Sequence, residues 1–322
     1  MTSYLMGQKA QTLLRVVSAL AVYLLLFIVS TGSQAASGHC SKANLSCPQL
    51  IYEGLTYPYP REPGSYLFID GGVYPYANAT ENLLGDSTVY LPGGKTIKVS
   101  DLLAAMGLED RMNLDLVPVA GYGSNPAPSQ LSRKFAKEIL DRSVVMPVMK
   151  GWIDEHDVVW TPFFTSYGAL PSTIYPSPGV RADIWVNWMT EPLVRRMDES
   201  ERLSGGRYQR VDLSEASYDF DGPNPEQLQL YVSCFGALKV DGKIHPLSAV
   251  PAEGRKTAAM DVVEVLGVVQ PVVAPDLSVL EMIHQAVSNP DQRRLYTSAL
   301  APFRTFREEG EFSKIDCPAN AN

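Results

Sequence analysis

The chain has 322 residues, of which 45% are hydrophobic and 19% are charged, and its formal net charge at pH 7 is −8. These values are typical of a globular protein with one large or two modest domains and a substantial core. Phosphate binding needs clustered Lys and Arg, and the chain has no dense basic run. The charge therefore argues against a nucleic-acid-binding surface.

The N-terminus has the pattern of a secretory signal. Lys9 and Arg15 precede an apolar stretch over 16–30, and the small residues Ser33 and Ala35 suit cleavage after Ala35. The stretch is shorter than the ~20 residues that comfortably span a bilayer. An uncleaved anchor is the alternative, and it would also carry the rest of the chain across the membrane. We predict a periplasmic or secreted protein, with membrane contact only through this segment if it stays uncleaved.

Four cysteines follow the signal segment, an even number that suits disulfide bonds in an oxidising compartment. Cys40 and Cys47 are the expected pair around a small loop, and Cys234 with Cys317 would tie the C-terminal tail to the core. Metal binding is the weaker interpretation, because there is no Cys-x-x-Cys and the four His residues lack ligand spacing. We expect neither a metal nor an organic cofactor.

The next part of the chain, up to Asp86, is rich in Pro, Gly and Tyr. It predicts an irregular lead-in with one short apolar segment at 66–69. A hairpin pattern follows, with strands at 88–91 and 96–99 around a Pro-Gly-Gly-Lys turn. Ser100 is expected to cap a short helix after the hairpin.

A loop of small and polar residues follows the next apolar strand, at 116–120. The loop consists of Tyr122, Gly123, Ser124 and Asn125. Gly123 lets the backbone approach a ligand closely, and a helix predicted to start near Pro128 and run to Leu140 would direct unpaired N–H groups to the same place. The loop is a candidate anion site, but an ordinary strand-to-helix turn has the same pattern.

Strand and helix patterns continue through the rest of the chain. Strands are predicted at 144–149, 158–164, 182–188, 208–213 and 228–239. Helices are predicted at 192–197, at 277–287 and from Pro290 to about Leu300, where Asn289 gives an N-cap signal.

An acidic cluster follows the predicted helix at 192–197 and precedes a glycine turn and a strand that begins with Tyr208. The usual interpretation of such a cluster is a solvated helix end. Glu201 lies at the turn, where a side chain can point inward, and the loop at 122–125 offers a possible partner surface.

Together the two motifs resemble the γ-glutamylcyclotransferase family, over residues 116–239. Its members have a Tyr-Gly-Ser-(Asn) loop after the first strand and, later, a Leu-Asp-x-x-Glu-Gly-x-x-x-Gly-x-Tyr segment. Here the second segment is matched by Met197, Asp198, Glu201, Gly206 and Tyr208. Arg202 stands where the family usually has Gly.

The resemblance implies an α/β (α+β) fold with a small mixed, strongly curved or barrel-like sheet surrounded by helices. It also implies a reaction in which the α-amine of a small γ-glutamyl substrate attacks the substrate's own γ-carbonyl and releases 5-oxoproline and an amine. Backbone N–H groups of Gly123, Ser124 and Asn125 would bind the substrate α-carboxylate, and Glu201 would be the general acid and base.

Two tyrosines would complete the substrate site that the resemblance implies. Tyr122 belongs to the loop motif, and Tyr208 would hold the carboxylate of Glu201 or the γ-carbonyl through its hydroxyl. The implied domain division is a signal peptide (1–35), the lead-in with its hairpin and short helix (36–110), a γ-glutamylcyclotransferase-like core (111–245) and a C-terminal helical extension (246–322).

Two other functions stay open at this point. Ser124 follows a strand as a nucleophile would, but a serine hydrolase would need G-x-S-x-G and a positioned His, and the sequence provides neither. The same fold would also serve as a non-catalytic module that binds a carboxylate-bearing ligand or a protein.

Overall fold

The computed structural model describes residues 46–213, 216–306 and 317. The predicted signal peptide lies outside the described residues, and so does Cys40. None of the described helices combines the length and the apolar character that crossing a membrane requires.

Strands form the centre of the fold, and helices flank them. The strands are β1 (Tyr66–Ile69), β2 (Gly72–Asn78), β3 (Thr88–Tyr90), β4 (Thr96–Lys98), β5 (Val117–Gly121), β6 (Val145–Trp160), β7 (Ser172–Met189), β8 (Tyr208–Leu213), β9 (Tyr218–Phe220), β10 (Leu228–Ser233), β11 (Ala237–Val240), β12 (Lys243–Ile244), β13 (Ala252–Glu253) and β14 (Arg304–Thr305). The α-helices of the described part are α1 (Cys47–Leu55), α2 (Val99–Ala105), α3 (Pro128–Lys134), α4 (Ala136–Leu140), α5 (Glu191–Glu201), α6 (Val262–Val273), α7 (Val279–Ser288) and α8 (Pro290–Ala299).

Eleven of the described strands form one mixed sheet. Its order is β4-β3-β2-β1-β6-β7-β5-β10-β8, with β9 paired to β6 and β13 paired to β7. β5 and β10 run parallel, and the other pairs of this sheet are antiparallel. A second sheet has the order β12-β11-β14. The predicted α/β (α+β) class with a mixed sheet is confirmed, but the sheet is large and not small as predicted, because the lead-in adds β1 to β4 to it.

Alternate residues of β7 face two separate cores, as the two-residue period of a strand requires. Ile184 and Val186 pack in one core with the C-terminal helices, whereas Trp185 and Met189 pack in another with α3 and α5. The sheet therefore has a buried surface on both faces near its centre.

The predicted lead-in contributes to the sheet instead of only wrapping over it. β1 pairs with β6, and β2, β3 and β4 extend the sheet to its edge. The four residues of β1 are at most 1% exposed, so their burial holds the lead-in against the rest of the protein. The division into domains stays a prediction.

Several element predictions need correction. The strands predicted at 144–149 and 158–164 belong to one long strand, β6, because the polar residues between them still pair with β7 and β9, but this strand ends at Trp160 and residues 161–164 are not part of it. The helix predicted to Leu140 is divided at Phe135. The strand predicted at 228–239 is interrupted before β11, where Gly236 has φ +69°.

The helix caps give a mixed result. The N-cap of α2 is Lys98 and not Ser100. Asn289 caps α8 as predicted, because its side chain accepts hydrogen bonds from the N–H groups of Asp291 and Gln292. α6 was not predicted from its valine-rich sequence, although Asp261 provides it with a capping box.

The predicted bond between Cys234 and Cys317 is confirmed, with the two Cα atoms 5.5 Å apart. Cys47 is also disulfide-bonded, but its expected partner Cys40 lies outside the described residues. Disulfide bonds are compatible with an extracytoplasmic location, which stays a prediction.

Candidate active site

A cavity of about 420 Å³ lies at the carboxyl end of β5. Its lining includes every residue selected from the sequence: Tyr122, Gly123, Ser124, Asn125, Glu201 and Tyr208. Strand pairing explains why residues so far apart in the chain meet here. Leu230 of β10 pairs with Ala120 of β5, and Ser233, at the end of β10, pairs with Tyr208.

The loop between β5 and α3 presents backbone donors to this cavity. Gly123, Ser124 and Asn125 line the cavity, and their N–H groups donate no hydrogen bond to any residue in the described ranges. A Cβ atom on Gly123 would lie only 2.8 Å from the hydroxyl oxygens of Ser172 and Tyr57. Glycine is therefore required by close packing behind the loop.

The ammonium of Lys134 connects the two sequence motifs. Lys134 Nζ donates to Asn125 Oδ1 at 2.6 Å and forms an ion pair with Oε1 of Glu201. Only 10% of the Lys134 side chain and 15% of the Glu201 side chain are exposed. Burial, the largest effect, lowers the pKa of Lys134, although the charge of Glu201 opposes this shift.

Lys134 was predicted only as part of a helix and not as a site residue. The available signal was its position on α3, the helix that directly follows the loop and that ends at Lys134. The sequence could not indicate that this side chain turns back towards the loop and towards a helix 57 or more positions later in the chain.

The end of α5 fixes where Glu201 lies. Glu201 is the last residue of this helix, and Arg202 adopts the left-handed conformation with φ 57° and ψ 50°. This conformation costs a residue with a side chain about 1 kcal/mol, whereas glycine adopts it freely. Arg202 is exposed and makes no ion pair with Glu201, so it does not compete with Lys134 for the carboxylate.

The structure corrects the role expected for the hydroxyl of Tyr208. Tyr208 donates to the carbonyl oxygen of Ser172 at 2.9 Å, and it is Lys134 that contacts the carboxylate of Glu201. Tyr122 is used in a similar way, because its hydroxyl donates to the carbonyl oxygen of Tyr231. These two tyrosines therefore form walls of the cavity whose hydroxyls are already engaged by backbone carbonyls.

Tyr57 forms a further wall of the cavity, although it belongs to the predicted lead-in and was not among the predicted site residues. Its hydroxyl lies 2.7 Å from Ser172 Oγ and accepts a hydrogen bond from the Ser172 N–H at 3.0 Å. Burial raises the pKa of Tyr57 to about 12, so the phenol stays protonated at neutral pH. Nothing local in a Tyr-Pro-rich segment indicates which tyrosine enters a site.

Within residues 46–213, 216–306 and 317, no group of three or more His, Cys, Asp and Glu side chains is arranged to hold a metal ion. The three His residues in these ranges, His156, His245 and His284, do not line the cavity. Ser124 therefore has no imidazole base there.

Comparisons with known proteins give limited information. No protein-family model matches the sequence, and no curated protein matches it. A solved structure named gamma-glutamyl cyclotransferase aligns with 62% of this chain and 95% of its own length, at 14% identity and a TM-score of 0.27. An uncharacterized protein from Homo sapiens aligns with 62% of this chain and 94% of its own length, at 13% identity and a TM-score of 0.28. Similarity at this level identifies neither a substrate nor a reaction.

Proposed function

We propose that the protein is a γ-glutamylcyclotransferase-like lyase that releases 5-oxoproline from a γ-glutamyl amine or peptide. One observation carries this proposal. A largely buried carboxylate, Glu201, and a loop of unpaired backbone donors line the same cavity and are joined through the ammonium of Lys134. The cavity volume is within the range of small-molecule sites.

The loop is suited to hold the α-carboxylate of the substrate. The N–H groups of Gly123, Ser124 and Asn125 are already fixed in position, so binding an anion there needs little reorganisation. Lys134 adds a positive charge beside Asn125. The α-ammonium of a substrate bound in this way would lie within the same cavity as Glu201.

Glu201 is suited to transfer protons. Lys134 contacts Oε1, and Oε2 accepts no hydrogen bond from any residue of the described part, so one carboxylate oxygen is available to a ligand. In the proposed step Oε2 takes a proton from the α-ammonium, and the freed nitrogen lone pair attacks the γ-carbonyl carbon. A new C–N bond closes the five-membered ring.

The tetrahedral intermediate then breaks the original amide C–N bond. Glu201 gives its proton to the departing nitrogen and then takes the second proton from the ring nitrogen, and the released amine accepts that proton, so the products are an ammonium ion and 5-oxoproline. The reaction needs no protein nucleophile and no water. Tyr57, Tyr122 and Tyr208 enclose the cavity with aromatic rings, which limits the access of water that would hydrolyse the amide instead.

The non-catalytic binding module is the second candidate, and one observation favours it. The ion pair with Lys134 already engages one oxygen of Glu201, as a purely structural carboxylate would be engaged. A binding module would hold a γ-glutamyl compound in the cavity without turning it over.

Product analysis separates these functions. The purified full-length protein is incubated with γ-glutamylalanine, γ-glutamylglutamate, glutathione and a γ-glutamylalkylamine, and 5-oxoproline and glutamate are quantified by chromatography. The proposal predicts 5-oxoproline in equal amount to the released amine with at least one compound. Release of glutamate would indicate a hydrolase, and binding without either product would indicate the binding module.

A further inference from the structure

The cavity has unneutralised positive charge, although the whole chain is acidic. Its lining contains five cationic side chains, those of Arg133, Lys134, Arg196, Arg202 and Arg207. Three of them are paired with carboxylates: Arg133 with Glu53, Lys134 with Glu201 and Arg196 with Glu199. Arg202 and Arg207 form no ion pair with any residue that the structure describes.

Arg207 is held in place as a binding side chain would be. Its guanidinium lies over the ring of Phe163, 5.4 Å from the ring centroid, and Phe163 packs on Phe235 with centroids 4.6 Å apart. The backbone of Arg207 is fixed on both sides, because its N–H donates to the carbonyl of Arg202 and its carbonyl accepts from the N–H of Cys234. The planar fork of the guanidinium is thereby preorganised.

A third arginine without an ion pair lies on a C-terminal helix, outside the residues that line the cavity. α8 packs against the segment that contains Phe163, because Phe164 donates its N–H to Thr297 Oγ1 at 3.1 Å and its ring contacts Tyr296. Arg293, on the same helix, is half-buried and donates to the carbonyl oxygen of Ala286. Like Arg202 and Arg207, it forms no ion pair within the described residues.

The three arginines act on one another electrostatically. Burial, followed by the charges of Arg202 and Arg293, lowers the pKa of Arg207 to about 10. Burial and then the charge of Arg202 lower the pKa of Arg293 as well. A like charge repels a half-buried guanidinium, and a bound anion relieves that repulsion.

We propose that Arg202 and Arg207, which both line the cavity, form a subsite for an amine half that carries two negative charges, and that Arg293, outside the lining, adds to the positive charge there. This inference rests on the proposed function, in which the loop at 122–125 binds the glutamyl half. A single carboxylate would neutralise one guanidinium and leave the others unpaired, whereas a dianionic group matches the cluster. An acidic amino acid or an amine with a phosphoryl group has this chemistry.

Two features of this chain make the subsite specific to it. Arg202 replaces the glycine that the resembling family usually has, and Arg293 comes from a helix outside the segment that carries the resemblance. Arg202 and Arg207 thus stand within the second segment at positions that are not among its matched residues, and Arg293 lies outside that segment.

The test compares two pairs of substrates whose members differ in charge, and in the first pair they are also nearly equal in size. The rate constant kcat/KM of the full-length protein is measured for γ-glutamylglutamate against γ-glutamylglutamine, and for the γ-glutamyl amide of O-phosphoethanolamine against that of ethanolamine. We expect the more negative member of a pair to be preferred by about tenfold, the effect of one charge-assisted hydrogen bond. The two pairs distinguish a carboxylate from a phosphoryl group.

Variants assign the preference to the arginine cluster. In Arg207→Gln the ratio of the two kcat/KM values should fall to about one, and Arg207→Lys should restore part of it. Arg195→Gln is the matched control, because Arg195 is 63% exposed on α5 and does not line the cavity. Equal kcat/KM values in the wild type, or an unchanged ratio in Arg207→Gln, would overturn the proposal.

Binding measurements keep this inference separate from the proposed reaction. If no compound yields 5-oxoproline, the reaction is wrong, and calorimetric titration with uncleaved γ-glutamylglutamate and γ-glutamylglutamine still tests the subsite. A Kd ratio of about ten that is lost in Arg207→Gln would support it. Equal Kd values for the two compounds would refute it.

Discussion

Two ion pairs of low exposure lie in different parts of the molecule and are built differently. Asp157 and Arg255 are 2% and 14% exposed, and the guanidinium contacts both carboxylate oxygens, at 2.7 and 2.8 Å. Lys134 and Glu201 have comparable exposure but share a single contact through Oε1. The first pair is away from the cavity, and the second is part of its lining.

The difference indicates different uses of buried charge. Asp157 also accepts a hydrogen bond from the N–H of Val158, so both of its carboxylate oxygens are engaged and it joins the loop that contains Arg255 to β6. Glu201 keeps one oxygen free at the cavity. A carboxylate with both oxygens engaged by the protein serves to stabilise the fold, whereas one with a free oxygen can also exchange a proton with a ligand.

The largest expected effect is on stability at the Asp157–Arg255 pair. Asp157→Asn leaves the guanidinium of Arg255 buried without a counter-charge, so the free energy of unfolding should fall by about 3 kcal/mol. Urea denaturation of the variant and the wild type measures this change. At temperatures where the variant is folded, its kcat/KM should equal that of the wild type. If kcat/KM fell by a larger factor than the fraction of folded protein, the Asp157–Arg255 pair would also affect activity, and the two pairs would not differ in their use.

Lys134→Met should show the opposite pattern. The substitution keeps the length of the side chain but removes the charge that links Asn125 to Glu201, so we expect kcat/KM for a γ-glutamyl substrate to fall by about 10²-fold. The free energy of unfolding should change by only about 1 kcal/mol, because Glu201 can hydrate from the cavity. Activity assays and urea denaturation on the same preparation check both values. A stability loss as large as that of Asp157→Asn, with activity retained, would show that the two pairs do not differ.

The smallest expected effect is a shift in the pH dependence of activity. Burial lowers the pKa of Lys134 from the ordinary value of 10.5. Activity should therefore decline at a lower alkaline pH than the pH at which an exposed lysine loses its proton. Within that pH window the folded state binds fewer protons at Lys134 than the unfolded state does. The cost of burying the ammonium therefore shrinks as pH rises, and the stability of the wild type relative to Lys134→Met should increase while activity falls.

Rate measurements from pH 7 to 10 on the wild type and on Lys134→Arg check this shift. The guanidinium of the variant stays charged over this range, so its alkaline decline should move to higher pH. An identical alkaline decline in both proteins would show that another group controls it.

The sequence was sufficient to locate the loop and Glu201, because both depend on local features. A small-residue turn after an apolar strand and a carboxylate at a helix end can be recognised without knowing the rest of the fold. The contacts of Lys134 and Tyr57 could not be predicted in this way. Lys134 reaches Glu201 only after α3 and α5 pack together, and Tyr57 reaches Ser172 from a segment more than one hundred positions away.

The fold class was predicted correctly, but the lengths of the two central strands and one C-terminal helix were not. β6 and β7 were expected as shorter strands, because the residues between their apolar parts are polar and interrupted by Gly and Pro. Backbone pairing does not depend on side-chain polarity, so the ladder continues through them with a bulge between Asp154 and His156. α6 was missed because valine favours strands, and only its capping box indicated a helix.

The most direct test of the central claim is the separation of binding from turnover in Glu201→Gln. With a γ-glutamyl compound that the wild type converts, the variant should bind with a Kd within about threefold of the wild-type value, because Gln keeps the shape of the side chain. Formation of 5-oxoproline should fall by about 10²- to 10⁴-fold. Glu191→Gln, which alters an exposed carboxylate on the same helix, should retain full activity. Wild-type rates of 5-oxoproline formation in Glu201→Gln would contradict the account.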